Sequence, residues 1–130
     1  MPDIKVEDLI GVRFKSHGRS TAEGFDCYGL AIEVSKRFGY KLEDLWYEKA
    51  CPETFSENVE EGIEINSSFS ETKELEPGNL IIFSDSKGNM VHIGVLLDNE
   101  RFIHADTGGV RITELDGYFR TEWKVYKWQQ

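Results

Sequence analysis

The sequence is poor in cysteine, histidine and positive charge, and each shortage argues against a class of protein. Its two cysteines, Cys27 and Cys51, could form one bridge but not the disulfide framework of a small secreted domain. No Cys-x-x-Cys spacing occurs and the three histidines are dispersed, so we expect neither a metal site nor a cofactor. The 15 basic residues face 24 acidic ones, and a net charge of −9 argues against nucleic acid or an anionic membrane surface as partner.

Long apolar runs are missing as well. No stretch approaches the length that crosses a bilayer, and the first five residues, Met-Pro-Asp-Ile-Lys, lack the basic-then-apolar order of a signal peptide. We therefore expect synthesis in the cytoplasm, with any export by another route. Hydrophobic residues make up 39% of the 130, which is enough for one core in a single domain spanning residues 1–130.

The first informative stretch is residues 24–30, Gly-Phe-Asp-Cys-Tyr-Gly-Leu, where a loop turns into a helix. Asp26 is suited to be the N-cap, which places Cys27 in the first turn. The apolar positions that follow have the spacing of one buried helical face: Leu30, Ala31, Val34 and Phe38. Because a helix N-terminus favours a thiolate, Cys27 is a candidate nucleophile. The alternative is a small buried residue that opens a core helix.

Helices are predicted in the first half of the chain. Residues 3–10 should form a short helix, and the helix after Asp26 should run to about Phe38, with Gly39 in its C-terminal cap. Residues 41–76 are predicted to be an acidic connection over the surface, with or without short helices. Cys51 precedes a proline in this connection and is interpreted as structural.

Strands are predicted after the Pro-Gly turn at residues 77–78. Short apolar or alternating segments separated by turn residues lie at 80–83, 91–97, 101–105, 110–113 and 123–128. Helices followed by a run of strands predict an α+β fold, with N-terminal helices packed on a C-terminal antiparallel sheet of about five strands.

Two histidines lie on consecutive strands of this predicted sheet. With a three-residue loop centred on Asp98, His92 faces His104 across the hairpin, at a Cβ separation of roughly 5 Å. The residues expected to point to the opposite, buried face are Val91, Ile93, Val95 and Leu97. Gly94 leaves space beside the rings, as it would where a backbone or ligand approaches.

A cysteine and two imidazoles supply the three parts of a thiol-dependent catalytic site. A thiol attacks an amide only as thiolate and needs a base, here His92, whose ring in turn needs a partner, here His104. We expect folding to bring Cys27 within contact range of both rings. The alternatives are ordinary surface or core histidines, or two zinc ligands, for which no third histidine and no His-x-x-Glu arrangement is present.

A second candidate feature is the loop at residues 13–20, Arg-Phe-Lys-Ser-His-Gly-Arg-Ser, which concentrates three formal positive charges. Two interpretations stay open. The loop is either solvated or a site for a ligand that carries carboxylates.

The chain resembles the NlpC/P60 cysteine peptidases over about residues 11–128. Residues 24–30 resemble that family's Asp-Cys-Ser-Gly-Leu motif, and residues 75–83, Leu-Glu-Pro-Gly-Asn-Leu-Ile-Ile-Phe, resemble its Leu-x-Pro-Gly-Asp-Leu-x-x-Phe motif. Residues 91–95 (Val-His-Ile-Gly-Val) and 102–105 (Phe-Ile-His-Ala) resemble the strands that carry its base and its third polar residue.

The resemblance implies a papain-like fold and a cell-wall peptidase. The substrate would be the peptidoglycan stem peptide, cleaved between D-γ-glutamate and diaminopimelate or lysine. Cys27 would be the nucleophile, His92 the general base and His104 the residue that orients it. The backbone N–H of Cys27 is the natural oxyanion donor.

The chain departs from the family pattern at two positions. Tyr28 replaces the usual serine and Asn79 the usual aspartate. The aromatic after the nucleophile, with Gly18-Arg19 upstream, is more similar to the phage-tail and prophage branch. Arg19, Asp26 and Tyr28 are candidate substrate-binding residues. In this interpretation the basic loop from Arg13 to Arg19 receives carboxylates of the stem peptide, and Tyr28 alters the pocket beside the nucleophile.

Two other functions remain open at this point. One is a different chemistry on the same three residues, as in an amidase, a deamidase or an acyltransferase. The other is a structural or assembly component of a phage tail, with tail proteins as partners. The corresponding locations are the virion tail or, after release, the cell wall.

Overall fold

A computed structural model describes residues 4–44, 69–84, 90–116 and 123–128. Cys51 and most of the predicted connection over residues 41–76 lie outside these ranges, so what was predicted for them stays a prediction. Within the described ranges the helix precedes the main sheet, which agrees with the α+β class.

The described chain forms one helix and eight strands. In chain order these are β1 (Arg19–Ser20), β2 (Gly24–Phe25), α1 (Cys27–Arg37), β3 (Phe69–Thr72), β4 (Leu80–Ser84), β5 (Met90–Leu96), β6 (Arg101–Asp106), β7 (Gly109–Glu114) and β8 (Trp123–Trp128). β1 and β2 form a short antiparallel ribbon. The other six strands form one antiparallel sheet in the order β3-β8-β4-β5-β6-β7.

The predicted count of about five strands was wrong because β3 was assigned to the surface connection. Phe69 is buried, and it pairs with Trp128 at the other end of the chain. An edge strand of four residues carries little periodicity of its own, and its pairing partner is remote in sequence. β3 forms a strand because it pairs with β8, and the sequence of β3 alone does not predict this pairing.

The helix predicted over residues 3–10 was also wrong, so within the described ranges one helix packs on the sheet where several were expected. Leu9 N–H donates to the carbonyl of Val6 at 2.9 Å, and Val12 N–H donates to Leu9 at 3.1 Å. Each of these hydrogen bonds joins residues three positions apart, which is typical of a turn and not of an α-helix. Gly11, with φ of +85°, ends the segment before a helix can propagate.

α1 has the bounds and the cap that the sequence predicted. The Asp26 carboxylate accepts the backbone N–H of Gly29 at 2.7 Å, and the helix ends at Arg37 before Gly39, whose φ is +97°. Its buried face includes Leu30, Ala31 and Val34. No helix in the described ranges is both long and apolar enough to cross a membrane.

The sheet buries apolar side chains on both faces. α1 covers one face, where Ile82, Ile93, Val95 and Ile103 join the larger core. The other face holds a second cluster of Ile81, Phe83, Leu96, Phe102 and Val125. His92 and His104 lie on this second face, opposite Ile93 and Val95 as predicted, but the face is itself buried where an unburied one was expected.

The β5–β6 hairpin has a different register from the predicted one. Leu97 N–H donates to the carbonyl of Arg101 at 2.9 Å, so the loop is centred on Asn99, one position later than predicted. The Asp98 carboxylate fixes this turn by accepting the N–H groups of Glu100 and Arg101 at 2.8 and 2.7 Å. Moving the loop centre by one shifts the pairing by two residues, which keeps every side chain on its predicted face.

Candidate active site

Cys27 opens α1 and is almost enclosed. Its side chain belongs to the core on the α1 face, and the residue is 4% exposed. The preceding Asp26 is fully buried and holds the loop before it, because its carboxylate also accepts the backbone N–H of His17 at 2.9 Å. The cap therefore fixes both the first turn of the helix and the loop that leads to it.

Arg19 and Tyr28 are brought together beside this cap. The guanidinium of Arg19 pairs with Asp26 at 3.1 Å and with Asp44 at 3.0 Å, and it lies 5.9 Å from the centre of the Tyr28 ring. The Tyr28 hydroxyl donates to the carbonyl of Glu43. Asp26 and Tyr28 are fully buried, so among the three candidate substrate-binding residues Arg19 is the one with an exposed surface.

His92 and His104 form a direct hydrogen bond. Nε2 of His92 lies 2.7 Å from Nδ1 of His104, and the two rings meet edge to face. The second nitrogen of His104, Nε2, lies 2.8 Å from Oγ1 of Thr113 on β7. The bond between the rings uses Nε2 of His92. Nδ1 is therefore the ring nitrogen of His92 that is left to exchange a proton with a reacting group.

Aromatic side chains enclose the pair. Phe83 stacks on His92 at 5.9 Å between ring centres, and Phe102 lies 4.6 Å from His104. A Cβ at Gly94 would come 2.8 Å from Cδ2 of Phe102. The close approach predicted at Gly94 is therefore present, and the approaching groups are the side chain of Phe102 and the backbone carbonyl of Ile103, at 3.0 Å.

Burial keeps the imidazoles uncharged. It lowers the pKa of His92 to about 4, and together with the neighbouring His92 imidazole it lowers the pKa of His104 to about 3. The carboxylate of Asp106 opposes this by favouring the charged rings, while its ion-pair partner Arg111 disfavours them. Both rings are neutral at physiological pH.

Burial also keeps the thiol of Cys27 protonated. It raises the pKa of Cys27 to about 12, and the adjacent charge of Asp26 acts in the same direction. Backbone N–H groups of Ile93, Tyr28 and Cys27 itself pull the pKa down but do not offset burial. The thiolate expected from the helix N-terminus is thus not the resting form.

The thiol reaches the strand that carries the base without bonding to the ring. Its contact on β5 is the backbone N–H of Ile93, the residue directly after His92. No hydrogen bond within the described ranges joins the sulfur to either imidazole. The structure therefore joins the two histidines and places Cys27 beside β5, the strand of His92, and the predicted contact of the sulfur with both rings stays a prediction. Hydrogen bonds between nucleophile and base often tighten only with substrate bound.

The described residues contain no group of three or more His, Cys, Asp or Glu side chains placed to hold a metal ion. The sequence interpretation missed Thr113, although a signal was present. Once Gly109 is recognised as the first residue of β7, alternation places Thr113 on the face of His104.

The fold and these motifs define a member of a known family. The model of the NlpC/P60 family matches residues 11–128, and the chain belongs to this family. "Probable endopeptidase NlpC homolog" of Haemophilus influenzae is 35% identical over 111 residues, covering 84% of this chain and 50% of that protein. "Probable endopeptidase NlpC" of Escherichia coli is 30% identical over 115 residues, covering 87% of this chain and 64% of that protein.

The chain thus spans half to about two thirds of the length of these two relatives. A solved structure, the NlpC/p60 domain of the peptidoglycan hydrolase SagA, is similar with a TM-score of 0.58 and 20% sequence identity. The match covers 90% of this chain and 88% of that one. At this identity the likeness concerns the fold.

Proposed function

We propose that this chain is a cysteine endopeptidase that hydrolyses amide bonds in peptidoglycan stem peptides. Family membership supports the proposal, as do relatives named as endopeptidases and a fold neighbour named as a peptidoglycan hydrolase. The observation that carries it is the 2.7 Å bond between the rings of His92 and His104. A neutral imidazole that donates its Nε2–H in this bond has Nδ1 available to accept a proton.

The proposed first step forms a bond from the sulfur of Cys27 to the scissile carbonyl carbon. The thiol proton moves to Nδ1 of His92, and the carbonyl π electrons move to oxygen. The backbone N–H of Cys27 donates to this oxyanion. When the carbonyl re-forms, the C–N bond breaks and the His92 imidazolium returns the proton to the leaving amine. A water then cleaves the thioester by the reverse sequence, which regenerates thiol and neutral imidazole.

The charges of this mechanism must form together. Burial disfavours a lone thiolate on Cys27 and a lone imidazolium on His92, as their shifted pKa values express. A thiolate and an imidazolium in contact stabilise each other most strongly where water is excluded. The proposed proton transfer is therefore coupled to attack on the substrate, and it does not precede it.

The proposed substrate bond joins D-γ-glutamate to diaminopimelate or lysine. Arg19 can contribute because 23% of its side chain is exposed and its outer partner, Asp44, is 60% exposed. A carboxylate of the stem peptide would compete with Asp44 for the guanidinium. Asp26 and Tyr28 would act through Arg19, by holding it in place.

The test is mass spectrometry of defined muropeptides after incubation with the protein. Wild-type protein should release new amino-terminal fragments, Cys27→Ala should release none, and Cys51→Ser should behave as wild type. Parallel substrates with diaminopimelate or lysine identify the bond. Equal inertness of wild type and Cys27→Ala on several wall types would contradict the proposal.

The same reaction mixture distinguishes the alternatives. An acyltransferase or deamidase would carry a different acyl group on Cys27, or would pass it to an acceptor other than water. A tail component would bind tail proteins stably and would not need Cys27. Association with a phage tail stays a prediction.

A further inference from the structure

Thr113 lies at the end of a chain of hydrogen bonds that begins at His92. Its Oγ1 is 2.8 Å from Nε2 of His104, and Nδ1 of His104 is 2.7 Å from Nε2 of His92. Thr113 is half-buried on β7, directly opposite Phe102 on β6. Phe102 packs on the His104 ring, so the hydroxyl and the imidazole are held between two adjacent strands.

These distances allow two directions for the protons. In the first, His92 donates from Nε2 to His104, His104 donates from Nε2 to Thr113, and Nδ1 of His92 bears a lone pair. In the second, Thr113 donates to His104, His104 donates from Nδ1 to His92, and Nδ1 of His92 already bears a proton. Only the first direction leaves His92 able to take a proton from a thiol.

We propose that Thr113 is a positioning residue that accepts the Nε2–H of His104 and thereby holds both imidazoles in the direction that makes His92 a base. The inference deepens the proposed function, since it concerns the same two rings. A buried ring N–H without an acceptor is unfavourable, and His104 is fully buried. Loss of the hydroxyl would therefore release the constraint on His104 and, through it, on His92.

The experiment compares wild type with Thr113→Val and Thr113→Ser. Valine has nearly the shape of threonine and no hydroxyl, whereas serine keeps the hydroxyl. Long-range ¹H–¹⁵N correlation spectra of the imidazoles, recorded near neutral pH, report which ring nitrogen carries the proton. In wild type and in Thr113→Ser, both His92 and His104 should carry it on Nε2. In Thr113→Val, proton population should move to Nδ1 of both rings.

The kinetic counterpart is a loss of about tenfold in kcat/KM for Thr113→Val, with near-wild-type values for Thr113→Ser. A wild-type spectrum with the proton on Nδ1 of His104 would overturn the inference without any variant. Unchanged tautomers in Thr113→Val would overturn it too. Because the spectra need no substrate, a failure of the proposed function, seen as inactive wild type, is recognised separately.

Discussion

Replacing Gly94 by alanine is the sharpest test of how packing builds the histidine pair. The added Cβ would lie 2.8 Å from Cδ2 of Phe102, 3.0 Å from the carbonyl oxygen of Ile103 and 3.4 Å from Cβ of His104. Carbon atoms in good contact are about 3.5–4.0 Å apart, so the Phe102 ring must retreat by about 0.7 Å. Phe102 is fully buried against His104 and Phe83, so a movement of its ring must displace these neighbours.

Overpacking of this kind costs about 1–3 kcal/mol. The lower chain entropy of alanine in the unfolded state offsets about 0.4–1 kcal/mol of that. We therefore expect Gly94→Ala to lower the free energy of unfolding by about 1–2 kcal/mol. Because the displaced Phe102 ring packs on His104, kcat/KM on a muropeptide should fall by more than the increase in the unfolded fraction explains.

Urea denaturation followed by intrinsic fluorescence measures the stability change. Gly108→Ala is the matched control, since a Cβ there comes no closer than 3.3 Å, to the end of the flexible Asp106 side chain. This control should change the free energy of unfolding by less than about 0.5 kcal/mol. If Gly94→Ala proves as stable as Gly108→Ala, the packing argument is wrong.

Three more results are expected. Asp26→Ala should lower the free energy of unfolding by about 2–4 kcal/mol in urea denaturation, because it removes the helix cap and leaves Arg19 without its buried partner. Asp26→Asn keeps a hydrogen-bond acceptor and should lower the free energy of unfolding by less, and an equal loss in the two variants would contradict this explanation. The free energy of unfolding should fall as the pH drops from about 6.5 to about 4 for His92 and about 3 for His104, because over this range the unfolded chain binds protons at both rings and the folded state does not. The double variant His92→Gln, His104→Gln should show a shallower fall, and an identical fall would contradict the assignment. Alkylation of Cys27 by iodoacetamide should be slow near pH 7 and still accelerate near pH 10, since burial raises its pKa to about 12; a plateau below about pH 8 would refute this.

Local chemistry explains what could be predicted from the sequence. Three features depend on residues a few positions apart in the sequence. They are the cap at Asp26, the bounds of α1 and the alternation along each strand that puts His92 and His104 on one face. Period and capping act over such distances. The motif around Cys27 and the order of the strand motifs were enough to indicate the family before any coordinates.

Features set by distant partners could not be predicted in the same way. β3 owes its pairing to β8, and the second apolar cluster joins Val125 to Phe83 and Phe102 from separate parts of the chain. That cluster encloses the histidines, and the burial lowers their pKa values. No local sequence pattern predicts this burial. The hairpin register depended on a side-chain bond of Asp98 to the turn, and a one-position error in the turn moved the pairing by two residues.

The charge state of the thiol is the clearest case of tertiary structure overriding local chemistry. A helix N-terminus favours a thiolate by about 0.3–1 kcal/mol when exposed. At Cys27 the enclosure of the sulfur outweighs this, and the net effect on the pKa is upward. The thiol and both imidazoles are therefore neutral at rest, and the proposed mechanism creates the reactive charges only during attack.

The most direct test of the central claim is to look for the covalent intermediate during turnover. A muropeptide reaction is quenched in acid, and the masses of the intact protein and of its proteolytic peptides are measured by mass spectrometry. The account predicts an adduct equal to the amino-terminal stem fragment, located on Cys27 and absent from Cys27→Ser. Turnover of the muropeptide by Cys27→Ala at the wild-type rate, with no adduct at any time point in wild type, would contradict it.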